Sequence, residues 1–295
     1  METSSEKLVK VLNWEQMDFE QRLGIKGAKY TDVNMLLSFI IGLILAAITY
    51  GIIALGYFRP GFYHQIYLYF YGRGPTQEIV VLLTCWSAMI MFVKWKKLQL
   101  QRRSLDLMVV PHARDFVLAP ATAPQIIERM YGLVNNPKHF VLLNRIERAL
   151  SNLKNIGVIS DVSEIMKSQA QNDEDQMETS YAFIKGFIWA IPVLGFIGTV
   201  VGLSVAIGQF GEVLQSADSM ANIKGSLQGV TKGLCTAFDT TSLALVCALI
   251  IQLIMIVLKR KEELFLDDCK EYCHSHIIAK LRLIPTEPTD PSAAQ

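Results

Sequence analysis

Two stretches decide how this chain is read: GFIWAIPVLGFIGTVVGLSVAIGQFG (residues 186–211) and GLCTAFDTTSLALVCALIIQLIMIVL (residues 233–258). They are uncharged except for Asp239 inside the second, and Glu212 stands just past the first. In the first, Gly195, Thr199, Gly202 and Ala206 recur at steps of four, three and four, which places them on one helix face; Gly198 widens it. In the second, Gly233, Ala237, Thr241, Ala244 and Ala248 do the same. Small residues let helix backbones approach in lipid, where no hydrophobic force draws helices together. A lipid anchor needs only greasy side chains. A small-residue face bearing hydroxyls, with a carboxylate beside it, points to helices packed around something polar, such as an ion route.

The remaining composition agrees with that class. Of the 295 residues, 51% are hydrophobic, and they are concentrated in blocks, which excludes a soluble multi-domain protein. The net charge of +1 identifies no partner, and no basic stripe suits nucleic acid. Three of the five cysteines lie in apolar blocks and two, Cys269 and Cys273, in a charged segment, so no extracellular disulfide framework is visible. The first thirty-odd residues are polar and mixed in charge, unlike a cleavable signal peptide.

The sequence predicts an all-α integral membrane protein with four transmembrane helices at 35–58, 77–94, 184–210 and 233–258. Lys94, Lys96, Lys97, Arg102 and Arg103 follow the second span, and Lys259, Arg260 and Lys261 follow the fourth. The segment between spans one and two holds only Arg59 and Arg73; the one between spans three and four holds only Lys224 and Lys232. The positive-inside rule therefore puts both termini in the cytoplasm. The expected order is a cytoplasmic N-terminal segment (1–34), a periplasmic loop (59–76), a helical cytoplasmic domain (95–183), a periplasmic connection (211–232), a cytoplasmic helix (259–284) and a disordered tail (285–295). Tyr57 to Tyr71 is aromatic-rich, as suits a headgroup layer. Leu8, Leu12, Phe19 and Leu23 form a weak amphipathic pattern suited to the inner leaflet.

Within 96–182, Pro111, Pro120, Pro124 and Pro137 separate short elements. Leu143, Ile146, Leu150 and Leu153 then recur at helical spacing, and Gly157 reads as a helix end. Asp161 with Glu164 reads as the start of a helix running from about Val162 to Phe210. Its apolar stripe (Met166, Ala170, Met177, Tyr181, Ile184) lies beside the acidic run Asp173, Glu174, Asp175 and Glu178, read either as a solvated face or as a cation-gathering vestibule. After Arg260, Phe265, Cys269, Tyr272, His276 and Ala279 repeat at helical spacing. Cys269, Cys273, His274 and His276 match no standard zinc spacing and read better as packing, so no metal site is expected.

Helix rise places the two threonines at one depth. Thr199 is about 21 Å above Lys185 and Thr241 about 14 Å below Lys232, in a hydrocarbon core of ~30 Å. Facing hydroxyls can bind water or a hydrated ion; alternatively each bonds its own helix carbonyl one turn back. Asp239, in line with Thr236 and Ser242, is either part of the route or its outer mouth, or a structural partner of a basic group such as Lys232. Pro192 frees a carbonyl in the third span.

The segment Ile191-Pro-Val-Leu-Gly-Phe-Ile-Gly-Thr-Val-Val-Gly-Leu203 resembles the Pro/Gly/Thr channel helix of the MotA/TolQ/ExbB proton channel family, and Lys232-Gly-Leu-Cys-Thr-Ala-Phe-Asp-Thr-Thr-Ser-Leu-Ala-Leu245 resembles its last helix. The resemblance covers about residues 160–260. Four spans resemble MotA more than ExbB or TolQ, which have three. The resemblance implies a homopentamer enclosing two copies of a MotB/ExbD/TolR-like single-span subunit whose membrane aspartate carries the ion. It also implies pore-facing roles for Thr199 and Thr241 and a channel proline at Pro192. The fourth span departs from the family in lacking a proline and in adding Asp239, and the N-terminal extension is longer than in MotA. Arg145, Glu147 and Arg148 lie in no segment that aligns with MotA's torque charges, which favours a less specialised member.

The expected function is thus the channel-forming subunit of a bacterial inner-membrane motor driven by H⁺ or Na⁺. The expected ion pathway is Thr199, Thr241, Asp239, Thr240 and Thr236; Pro192, Gly195, Gly198, Gly202 and Ala237 shape the helices. No cofactor is expected beyond the transported ion. The rival is a non-conducting membrane scaffold in which the polar residues are interhelical glue. An intramembrane enzyme is disfavoured, because the spans hold no His and Asp239 has no second carboxylate for a catalytic pair.

Overall fold

Four helical stretches are long and apolar enough to cross a membrane: Met35–Phe58, Pro75–Arg102, Asp161–Gly211 and Leu227–Lys280. They come from a computed structural model that describes residues 12–22, 24, 29–58, 61–71, 74–107, 109–110, 118–153, 159–215 and 220–282. The described residues are almost all helical; the only strand-like pairings among them are isolated bridges between Leu12 and Val134 and between Leu118 and Leu281. In chain order the helices are α1 (Trp14–Met17), α2 (Phe19–Arg22), α3 (Met35–Ala54), α4 (Phe62–Tyr71), α5 (Pro75–Arg102), α6 (Ala123–Leu133), α7 (Val141–Asn152), α8 (Ile159–Ser180), α9 (Ala182–Gln215) and α10 (Met220–His276). They form two compact units, one from Asn34–Val93 and Tyr181–Leu258, the other from Met1–Val33, Lys94–Ser180 and Lys259–Gln295.

The first unit is built on the apolar helices. Asn34 caps α3 by accepting from the backbone N–H of Leu36 (3.1 Å) and Leu37 (3.3 Å), which satisfies donors that a helix start leaves open. Two turns in, a Cβ added to Gly42 would stand 2.8 Å from the Cα of Trp86, so glycine is what lets α3 and α5 touch there. Ala46, Val81 and Cys85 form a small buried cluster under Tyr50 and Phe70.

The second unit is a conventional helical core. Leu143, Ile146, Leu150 and Leu153, at the spacing that predicts a buried face, are all buried, as are Phe140, Leu142, Met130 and Phe265. Two buried lysines are paired: Lys97 Nζ donates to Glu20 Oε2 and to the Asp32 carbonyl (2.6 Å each), and Lys94 Nζ donates to Ser180 Oγ (2.7 Å) and lies 3.5 Å from Glu262 Oε2. Glu262 also bonds the Thr31 hydroxyl. Lys94 and Lys97 therefore do not sit on a surface as the charge pattern suggests, whereas Lys96, Arg102 and Arg103 are exposed.

Several element boundaries differ from the sequence reading. The helix expected from Val162 to Phe210 begins at Ile159 and is interrupted at Tyr181, which separates α8 from α9 while Lys185 N–H still donates to the Tyr181 carbonyl (3.0 Å). The 211–232 connection is largely helical, since α9 runs to Gln215 and α10 starts at Met220. The fourth span and the helix expected at 259–284 are one element, ending at His276 and followed by a 3₁₀ turn over Ile278–Lys280. The 59–76 loop contains α4. Leu12 is not presented to a leaflet: its N–H donates to the Leu133 carbonyl and its carbonyl accepts from Asn135, and it is buried with Trp14. Its pattern partners Leu8 and Leu23, the expected helix end at Gly157 and the tail 285–295 lie outside the described residues.

Candidate functional site

The small-residue faces of α9 and α10 pack on each other. Gly195, Gly198, Gly202 and Ala206 on one helix and Gly233, Ala237, Thr240, Ala244 and Ala248 on the other are all buried. At Gly202 the backbones nearly meet: an added Cβ would lie 2.8 Å from both the Ala237 nitrogen and the Gly233 oxygen. At Gly198 it would meet the Thr240 side chain, 2.6 Å from Oγ1. Large apolar side chains, among them Val200, Leu203, Phe238 and Leu245, face away from this seam and are exposed.

Thr199 and Thr241 sit in the seam, half-buried, with their hydroxyls bonded to each other. Their surroundings are two carbonyls. Thr241 Oγ1 lies 2.9 Å from the Gly195 carbonyl and 3.3 Å from that of Ala237; Thr199 Oγ1 lies 3.1 Å from the Ala237 carbonyl and 3.3 Å from that of Gly195. The shorter bond of each pair crosses between the helices rather than closing on its own helix. Two hydroxyls carry two protons. If both go to the carbonyls by the shorter, crossed bonds, two hydroxyl oxygens face each other with lone pairs only, an arrangement that accepts a proton, a cation or a water hydrogen. If one hydroxyl donates to the other, one crossed carbonyl bond is given up. Each hydroxyl hydrogen can turn from one of these acceptors to another without any change of backbone.

The other predicted residues are differently placed. Thr240 Oγ1 donates to the Thr236 carbonyl (2.9 Å) and Thr236 Oγ1 to the Lys232 carbonyl (3.0 Å), so both hydroxyls close on their own helix. Thr240 is buried against Gly198, and Thr236 is half-buried. Asp239 is half-buried, and its backbone carbonyl accepts from the Tyr69 hydroxyl of α4 (2.9 Å). Pro192 lies inside α9, where it has no N–H for the Ile188 carbonyl one turn back.

Residues 135–271 match the family model described as the MotA/TolQ/ExbB proton channel family. The match takes in both helices of the seam and covers just under half of the chain. It extends N-terminally beyond the 160–260 on which the resemblance rests, through the whole of α7. No curated protein and no solved structure matches the chain. The MotA/TolQ/ExbB match and the four long apolar helices together support a multi-pass membrane subunit of proton-channel type.

The match also covers charged residues whose placement the sequence did not reveal. In the acidic run, Asp175 is exposed and Glu178 pairs with Lys259 (2.6 Å), but Asp173 turns inward and its Oδ2 accepts from Arg145 Nε at 2.6 Å. Burial pushes the Asp173 carboxyl above its ordinary value, against the pull of Arg145. Arg145 is 1% exposed. The only signal for it in the sequence was its position between Leu143 and Ile146 on the buried side of α7. Cys269 and Cys273 are buried, and burial pushes both thiols up, Cys273 to about 12. His274 is exposed, and no three metal-ligating side chains are grouped among the described residues.

Proposed function

We propose that this chain is the channel-forming subunit of a bacterial inner-membrane motor, in which H⁺ or Na⁺ flow moves a single-span partner. The observation that carries the reading is the Thr199–Thr241 hydroxyl pair, held by crossed carbonyl bonds in a seam of small residues inside two long apolar helices. Five copies would enclose two partner subunits of the MotB/ExbD/TolR kind, and the partner's membrane aspartate would exchange its ion at this pair. Both termini would be cytoplasmic, following the excess of Lys and Arg after the second and fourth spans. Each charge crossing the membrane releases about 2.3 kcal/mol per 100 mV, enough to bias a conformational step. Asp239 would lie toward the outer mouth of the route. No cofactor or enzymatic step is involved.

The same bonds support a second reading, a non-conducting scaffold in which the hydroxyls only hold α9 to α10. Replacing Thr199 and Thr241 with Val separates the two. The channel reading expects ion flux through the complex reconstituted with its partner to fall at least about tenfold, as for loss of a transition-state contact worth ~1.4 kcal/mol, with assembly intact. The scaffold reading expects flux to be absent in the parent protein and assembly to weaken in the variant. Unchanged flux in the double variant would end the channel assignment.

A further inference from the structure

Just past the second apolar stretch, an open groove of about 290 Å³ runs between Met17, Phe19 and Arg22 on one side and Lys96, Leu100 and Arg103 on the other. Each of these residues belongs to the second compact unit. Among the described residues the lining holds three cationic side chains and no carboxylate. Arg22, Lys96 and Arg103 are all exposed, so their charged ends are within reach of a ligand in the groove. Arg22 donates from Nε to the Gln16 carbonyl (2.6 Å), which fixes the plane of its guanidinium. Lys96 holds its ammonium 5.0 Å from the centre of the Trp95 ring. The rest of the wall is apolar: Met17 is exposed, Phe19 half-buried and Leu100 buried.

Helix rise sets the depth of the groove. Val93 ends the uncharged run of α5, and Lys94 follows it. At ~1.5 Å per residue, Lys96 stands about 4.5 Å past Val93 and Leu100 about 10.5 Å. The polar layer on each side of a hydrocarbon core is roughly 5–8 Å deep. Each Cα–Cβ bond of a helix tilts toward its N-terminus, which for α5 is toward the bilayer. Long Arg and Lys stems carry their charge further in that direction, which brings Arg103 within range from one turn below. Trp95, exposed beside Lys96, is a residue type that settles at this layer.

We propose that this groove holds the headgroup of an anionic phospholipid. The phosphodiester sits between Arg22 and Arg103, Lys96 lies toward the bilayer, and the glycerol end packs on Met17, Phe19 and Leu100. Guanidinium-to-phosphate bonds are charge-assisted and strong, and basic pockets beside membrane helices suit anionic headgroups. A zwitterionic headgroup brings its own cation to a wall of cations. A free phosphate satisfies the cations but leaves the apolar side of the groove in water. The inference rests on α5 crossing the bilayer and not on conduction along the threonine seam, so the two stand or fall separately.

The test uses the full chain in neutral detergent, titrated with short-chain phosphatidylglycerol, with short-chain phosphatidylcholine, and with glycerophosphoglycerol, the same anionic headgroup without chains. Thermal unfolding is the readout, because a ligand that binds only the folded chain raises the midpoint as its concentration exceeds its Kd. Light scattering follows the oligomeric state of the same samples. The expected result is a saturable rise with phosphatidylglycerol alone. Its apparent affinity should be about tenfold weaker in Arg22→Gln/Arg103→Gln, as for loss of charge-assisted bonds. Lys138→Gln/Lys167→Gln, which makes the same change in net charge at exposed positions outside the groove, should leave the affinity unchanged. No rise, an equal rise with phosphatidylcholine, one that glycerophosphoglycerol reproduces, or parent-like affinity in the double-arginine variant would overturn the proposal. So would a smaller oligomer in that variant at unchanged lipid affinity, which would assign the groove to a second copy of the chain. All four substitutions are at exposed positions, so each arm starts from a folded protein.

Discussion

At the scale of single residues, the structure separates polar groups that serve packing from those with unspent chemistry. Thr236 and Thr240 return their protons to their own helix, while Thr199 and Thr241 share theirs across two helices. His139 illustrates how burial sets a titration. Its ring stacks on Trp14 (centroids 5.2 Å apart, planes within 8°), and burial, together with the charges of Lys29 and Lys97, holds its pKa below the ordinary 6.5. A lowered pKa means that the folded chain resists protonation more than the unfolded chain does. Stability from this group is complete above about pH 6.5 and is lost as pH falls through the folded value. Thermal unfolding at pH 7.5 and 5.5 should therefore show a loss on acidification that is smaller in His139→Gln than in the parent. An equal loss in both would remove His139 as a contributor. The positions of Thr199 and Thr241 were legible in the sequence, because helix rise is uniform and Lys185 and Lys232 mark the ends. The Arg145–Asp173 pair was not, since an acidic run reads as solvated until another helix supplies the buried cation.

At the scale of elements, the seam between α9 and α10 depends on the absence of side chains. The helical period of Gly195, Gly202, Gly233 and Ala237 was readable from the sequence, but whether those faces met each other, a neighbouring subunit or a guest helix was not. In the structure they meet each other, and at Gly202 it is backbone that meets backbone. Gly202→Leu should force the helices apart at a cost of about 1–3 kcal/mol or more, as overpacking does, and should also separate the two hydroxyls a turn away. Gly208, which has nothing within 4 Å of an added Cβ, is the control. Gly208→Ala should be neutral or stabilising by up to about 1 kcal/mol, because alanine loses less entropy in a helix. Thermal unfolding in detergent distinguishes the two, and equal effects would show that close approach does not limit stability. The element boundaries were less legible than the faces. Nothing in residues 211–232 resembles an apolar helix, yet most of the segment is helical as the continuation of its flanks. Tyr181 interrupts a helix without a proline or glycine beside it to announce the break.

At the scale of the molecule, four apolar helices and a helical unit with its own core were both foreseeable from block composition, and the alternation of basic and non-basic connections adds a direction. Lys94 and Lys97 are paired with Glu262, Ser180 and Glu20, and Lys96, Arg102 and Arg103 after the second span and Lys259, Arg260 and Lys261 after the fourth add to the basic count on the same side. Lys259 is itself paired with Glu178. The positive-inside bias counts basic residues near span ends largely irrespective of neighbouring carboxylates, and Lys224 and Lys232 do not outweigh it. Lys224 and Lys261, on opposite sides of the fourth apolar stretch and both exposed, make the direction measurable. With Cys235 changed to Ser to remove the exposed native thiol, Lys224→Cys should react with a membrane-impermeant maleimide in spheroplasts, whose periplasmic face is open to the reagent. Lys261→Cys should react only after the membrane is permeabilised. The reverse pattern would invert the chain and put the open ends of the proposed ion route on the wrong sides of the gradient.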